Sequence, residues 1–168
     1  MLTLGIDPGL ATTGYGLVRQ AGDRLELVSA GVILTPKTEP LPRRLQMVFR
    51  ELSGLVAAWR PDVAAVEQLF FNANVRTAIP VGHARGVVLL ALVEAGVPVF
   101  EYAPLQVKGS LCGYGRADKG QMQRMVQLLL SLEAPPQPDD AADAVAVALC
   151  HIHSSRLQEM VDAIEATR

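Results

Sequence analysis

Val63-Ala64-Ala65-Val66-Glu67 decides the fold: four small apolar residues close on an acid, between two helical segments. Such a run reads as a short strand buried on both faces. Upstream, Leu45, Val48, Phe49, Leu52, Leu55, Val56 and Trp59 recur with a 3.6-residue period. They predict a helix from about 42 to 60, ended by Pro61. Downstream, a second helix is expected over roughly 76–95, with Pro80 tolerable only near its start. A further strand is expected at 97–102. Strand, helix and strand in alternation imply parallel pairing through a crossover.

Working toward the N-terminus, the runs 2–7, 15–19 and 24–34 read as three strands, the last two separated by Ala21-Gly22-Asp23. Short connections make them an antiparallel meander. Toward the C-terminus, helical segments are expected at 104–112, 118–132 and 140–153, broken by Gly113-Tyr114-Gly115 and Pro135-Pro136-Gln137-Pro138. Leu157, Met160, Val161 and Ile164 give a last amphipathic stripe. The expected fold class is α/β: a mixed five-stranded sheet, three antiparallel strands then parallel ones, with helices on both faces. The expected division is one domain over 1–154 and a helical tail over 155–168.

The 168 residues carry 15 basic and 17 acidic side chains, and half are hydrophobic, which excludes a disordered chain. Cys112 and Cys150 are far apart, so neither a disulfide framework nor a zinc module is expected. The longest apolar runs, 87–93 and 144–150, are too short to span a bilayer, and the start lacks a basic signal-peptide region. A soluble cytoplasmic protein with no membrane partner is therefore expected. The near-neutral charge does not exclude nucleic acid. If four carboxylates hold metal, 15 positive charges face 13 negative ones, a net of +2. Arginine supplies 12 of the 15 bases, and its planar fork suits phosphate.

Four acids occupy telling positions. Asp7 ends the first strand and Glu67 the fourth. Asp140 and Asp143 open a helix three residues apart, on one face, among alanines that allow close packing on the sheet. If the first and fourth strands are neighbours, all four converge, and their mutual repulsion calls for hard divalent cations such as Mg²⁺ or Mn²⁺. Two such ions would suit hydrolysis of a phosphodiester. Taken singly, Asp7 or Glu67 reads as a solvated strand end, and Asp139 or Asp140 as an ordinary helix cap. Asp143 is harder to dismiss, because an acid on an apolar helix face is costly unless partnered. His83 reads as an interior or interface histidine. His151 and His153 point to different sides of a helix end and are not assigned to metal.

Taken in order, Gly5-Ile6-Asp7-Pro8-Gly9 with Thr13-Gly14-Tyr15-Gly16, Glu67-Gln68-Leu69-Phe70, Gly82-His83-Ala84-Arg85-Gly86-Val87, Val99-Phe100-Glu101-Tyr102 leading to Gln106-Val107-Lys108, and Asp140-Ala141-Ala142-Asp143-Ala144 resemble the RuvC family of Holliday-junction resolvases, within the ribonuclease H-like superfamily. The resemblance runs from Gly5 to about His153. It implies a Mg²⁺-dependent endonuclease, with two ions per site and Mn²⁺ as a substitute. It implies a homodimer that nicks four-way DNA junctions symmetrically and leaves 5′-phosphate and 3′-hydroxyl ends, in recombination and repair. It places Asp7, Glu67, Asp140 and Asp143 as metal-binding catalytic acids, with Asp139 a competitor for the third place. It places Lys108 and Lys119 near the scissile phosphate and Phe70 on an unpaired base. It adds dimerisation through the second helix and the branch-migration proteins RuvA and RuvB as partners, and Arg76 and Arg116 are expected as further DNA contacts. Leu10-Ala11 departs from the more polar residues often found after Asp-Pro-Gly in the family.

Three other readings compete. A ribonuclease H-like nuclease would act on RNA–DNA hybrids or other branched DNA. A junction-binding module would lack catalysis, which the intact acids argue against. The opening hairpin is also similar to the Asp-x-Gly-Thr-Thr turn of actin-like ATPases and sugar kinases, although a nucleotide cleft of that kind needs two such domains.

Overall fold

The computed structural model describes residues 1–69 and 75–165, with side chains at 1–69 and 78–158. Five strands form one sheet in the order β3-β2-β1-β4-β5. They are β1 (Leu2–Asp7), β2 (Thr12–Ala21), β3 (Arg24–Leu34), β4 (Val63–Glu67) and β5 (Val99–Tyr102). β1, β2 and β3 pair antiparallel, whereas β4 runs parallel to β1 and β5 parallel to β4. The expected mixed sheet is therefore present, with α1 (Leu41–Trp59), α2 (Val75–Glu94), α3 (Pro104–Cys112), α4 (Lys119–Leu129) and α5 (Asp139–Glu165) around it.

Side-chain alternation along the strands divides the core in two. Leu4 and Ile6 of β1, Leu17 of β2, and Ala64 and Val66 of β4 face α1 and α2, where Val48, Leu52, Val88 and Leu92 cover them. The opposite face carries Val18 and Ala65 and is covered by α3, α4 and α5 through Val107, Met122, Val126 and the alanine-rich stretch 144–150. β4 is buried on both sides, as its unbroken apolar run requires. Gly22, at φ +60°, permits the two-residue turn between β2 and β3.

Several boundaries depart from expectation: β5 begins at Val99 rather than 97 and α4 ends at Leu129 rather than 132. β2 begins at Thr12 rather than 15, because Thr12, Thr13 and Gly14 pair with Leu34, Ile33 and Val32. Small and hydroxylated residues hide that extension from an apolar-pattern reading. α2 starts at Val75 and carries Pro80 inside it. Packing of Ala84, Val88, Ala91 and Leu92 in the core sustains the helix past the missing N–H. α5 does not stop near 153 but continues to Glu165. Its extension is tied back to the β2–β3 turn by an ion pair between Arg156 and Asp23.

Candidate active site

The close approach of α5 to the sheet builds the site. Gly5 and Gly16 are register partners on β1 and β2, and Asp7 pairs with Gly14. All three glycines face α5. A Cβ at Gly5 would lie 2.0 Å from the Ala144 carbonyl oxygen, one at Gly16 2.4 Å from Val145 Cγ2, and one at Gly14 2.0 Å from the Asp140 carbonyl oxygen. Ala141, Ala142, Ala144 and Ala148 supply the matching small residues on the helix. No larger side chain fits between the two layers, so the first turn of α5 sits directly over the end of β1.

Asp7 and Glu67 end neighbouring parallel strands, one residue beyond the Ile6–Val66 pair. Their carboxyls act directly on each other, Asp7 raising Glu67 and Glu67 lowering Asp7. Burial, then the charge of Asp143, pushes the Asp7 carboxyl up to about 6. Burial, then the charge of Asp7, pushes Glu67 up to about 8. Asp143 is itself raised by burial, against the pull of Lys119. The charge of Asp140 is felt at Asp7 as well. The four acids singled out in the sequence thus act on one another electrostatically.

Two lysines balance them. Lys119 opens α4, behind an Asp118–Gln121 capping box. Its Nζ lies 3.0 Å from Asp139 Oδ2 and 3.3 Å from Asp143 Oδ2. The hydrogen bond to Asp139 is the chief cause of the rise in its pKa. Lys108, on α3, acts on Glu67 through its charge, against the rise caused by burial. Glu67, Pro104, Val107, Lys108, Lys119, Met122, Asp143 and Ala146 line a cleft of about 230 Å³. Asp139 stands apart from this cleft: it is exposed, and Lys119 and Gln123 engage its carboxylate. Asp140, with its backbone over Gly14, is the better placed of the two toward Asp7.

Arg116 lies exposed in the α3–α4 connection, beside Lys119 in sequence. Phe70 and the side chain of Arg76 fall outside the described residues. His151 is buried, its Nδ1 2.9 Å from the Tyr102 hydroxyl and its ring 4.7 Å from that of Phe100. His153 Nδ1 lies 3.3 Å from Ser110 Oγ. His83 is exposed on the outer face of α2.

Among the described residues, no three carboxylate, imidazole or thiolate groups stand at the spacing of a finished ligand cage. The donor set nonetheless fits hard cations. Asp7 and Glu67 are half-buried at neighbouring strand ends and raised by burial and then by nearby carboxylate charge, a crowding of negative charge that a divalent ion would offset. Sequence reasoning missed the pairing of Lys119 with Asp139 and Asp143. The glycines at positions 5, 14 and 16 were the available signal for where α5 would sit.

A mixed sheet of this topology, with acids at the ends of its first and fourth strands and on its last helix, is a ribonuclease H-like nuclease fold. The family described as "Crossover junction endodeoxyribonuclease RuvC" matches residues 3–151. Crossover junction endodeoxyribonuclease RuvC of Rubrobacter xylanophilus is 57% identical over 154 residues, covering 92% of this chain and 86% of that protein. That of Alkaliphilus oremlandii is 51% identical over 160 residues, covering 95% and 98%. The RuvC structure of Thermus thermophilus superposes with a TM-score of 0.88 at 38% identity, covering 94% of this chain and 97% of that one. A second structure, of T. thermophilus RuvC in complex with Holliday junction substrate, has a TM-score of 0.85 at 36% identity, covering 94% and 96%. The chain belongs to the RuvC family of crossover junction endodeoxyribonucleases. Nucleases of this family are metal-dependent.

Proposed function

We propose that this chain resolves four-way DNA junctions by hydrolysing one phosphodiester per active site. The observation that carries the reading is the convergence of Asp7 and Glu67 on neighbouring strand ends, beneath the α5 turn bearing Asp140 and Asp143. These four would hold two Mg²⁺ ions, with Mn²⁺ as an alternative. Ions bound there supply Lewis acidity toward the water and toward the departing oxygen. The chain's own part is to place that charge. Lys119 holds Asp143 in position, and with Lys108 it lines the cleft with positive charge where the phosphate would enter. Hydrolysis in this sense leaves a 5′-phosphate and a 3′-hydroxyl. Phe70, Arg76 and Arg116 are the remaining DNA contacts in this reading, and the nuclease domain is taken as 1–154 with a helical tail beyond it.

A homodimer supports paired nicking. Ile79, His83, Gly86, Leu90 and Val93 recur at alternating steps of four and three along the outer face of α2, all of them exposed. That is the seam of a helix–helix contact without a partner in the single chain. A twofold dimer presents two equivalent sites to a substrate with paired strands. RuvA and RuvB are the expected partners in branch migration, by family. No helix among the described residues is long and apolar enough to cross a membrane.

The test is cleavage of a synthetic mobile four-way junction beside linear duplex and RNA–DNA hybrid, with Mg²⁺, with Mn²⁺ and with chelator. Paired, metal-dependent nicks in the junction alone are expected. Cleavage of the hybrid in preference would replace the junction with that substrate, and junction binding without cleavage under either metal would leave a binding module.

A further inference from the structure

The turn after Asp7 is pinned from outside the site. Thr13 Oγ1 donates to the Gly9 carbonyl at 2.6 Å. A Cβ at Gly9 would lie 2.2 Å from the Thr12 carbonyl oxygen, so only glycine fits there. Thr35, buried just beyond β3, takes the other half of the turn: its N–H donates to the Ala11 carbonyl at 3.1 Å and its hydroxyl to the Leu10 carbonyl. Arg44, in the first turns of α1, donates from Nε to that same Thr35 hydroxyl at 2.9 Å. No salt bridge pairs Arg44 with an acid among the described residues.

We infer that Thr35 and Arg44 are positioning residues for Asp7, acting through the turn at 8–11. Asp7, paired with Gly14, is the last residue of β1, and the ladder between β1 and β2 does not continue past it. Beyond Asp7 the chain enters a turn, whose residues are restrained by backbone contacts to β2 and β3 rather than by a ladder. Thr35 closes that restraint, and Arg44 holds the Thr35 hydroxyl with its hydrogen aimed at Leu10. α1 packs on the face of the sheet opposite α5, and through this chain of contacts it acts on a carboxylate that faces α5. A carboxylate that must meet a cation tolerates only small displacements. The inference rests on the proposed metal-dependent cleavage.

The experiment compares Thr35→Val, Thr35→Ser and Arg44→Gln with the unaltered protein by three readouts. These are Mn²⁺ binding to the DNA-free protein by titration calorimetry, junction affinity in chelator, and single-turnover cleavage at saturating protein. Thr35→Val and Arg44→Gln are expected to weaken Mn²⁺ binding and slow cleavage by about tenfold each, with junction affinity unchanged. Thr35→Ser, which keeps the hydroxyl, is expected to restore both. A lowered melting temperature with unaltered Mn²⁺ binding and unaltered cleavage would overturn the inference and leave a plain structural strap. Should Thr35→Val not fold, the change at the half-buried Arg44, Arg44→Gln, decides by the same criteria. If the unaltered protein cut no junction, the proposed function would fail, while the Mn²⁺ titration would still read the strap.

Discussion

Gly14 lies directly beneath Asp140, so close that a Cβ would stand 2.0 Å from the Asp140 carbonyl oxygen. Because Gly14 is the register partner of Asp7, the same contact brings the acid-bearing turn of α5 over the end of β1. Gly14→Ala is expected to lift that turn and part Asp140 and Asp143 from Asp7. Overpacking of this kind costs about 1–3 kcal/mol, so a lowered melting temperature with retained circular dichroism is expected. Junction cleavage should fall much further than junction binding. Undiminished cleavage would show that the site does not depend on this seating.

Stability of the metal-free protein should depend on pH in an unusual direction. Glu67 is raised in the folded chain from 4.5 to about 8, and Asp7 from 3.8 to about 6, mainly by burial. A carboxyl raised on folding adds stability that is complete below its unfolded value and lost as pH climbs through its folded one. In chelator, the melting temperature is therefore expected to fall between about pH 4.5 and pH 8, and divalent cation should restore most of it at the upper end. Glu67→Gln should flatten the profile and raise stability at pH 8 by roughly 1–3 kcal/mol. A profile that rises through this window would mean that the pair is solvated and ionised throughout.

Asp139 and Asp140 are adjacent in sequence but separate in role. Asp139→Asn breaks only the exposed contacts to Lys119 and Gln123, so cleavage is expected to persist at a reduced rate. Asp140→Asn should abolish it, as should Asp143→Asn, with junction binding near normal in both. The opposite ranking of Asp139 and Asp140 would transfer the ligand role to Asp139. Lys119→Ala is expected to cost about 100-fold or more in rate, since it removes both the phosphate charge and the anchor of Asp143.

The outer stripe of α2 predicts the oligomeric state. Sedimentation should report twice the chain mass of 18.0 kDa. Leu90→Asp, at a position 53% exposed in the single chain, should release folded monomers that nick junctions without pairing the two cuts. If Leu90→Asp remained a dimer, the contact would lie elsewhere.

The order of elements, the acid at each strand end and the helix stripe of α1 are local patterns, and the sequence alone carried them. Apolar patterning is a property of consecutive residues, and β4 keeps its unbroken apolar run buried throughout. The boundaries it blurred lie where packing overrides local preference. Thr12 to Gly14 join β2 because β3 offers partners, and α5 runs on past Ser154 and Ser155 with Arg156 anchored to Asp23.

Asp7, Glu67, Asp140 and Asp143 could be proposed from sequence, but their company could not. Only the tertiary structure set Lys119 between Asp139 and Asp143, raised Asp7 and Glu67 chiefly by burial, and tied Arg44 to the turn after Asp7 through Thr35. Each of these joins residues far apart along the chain, where neither spacing nor composition carries information. Burial and distance decide such interactions, because the strength of a charge or a hydrogen bond depends on how much water is left around it.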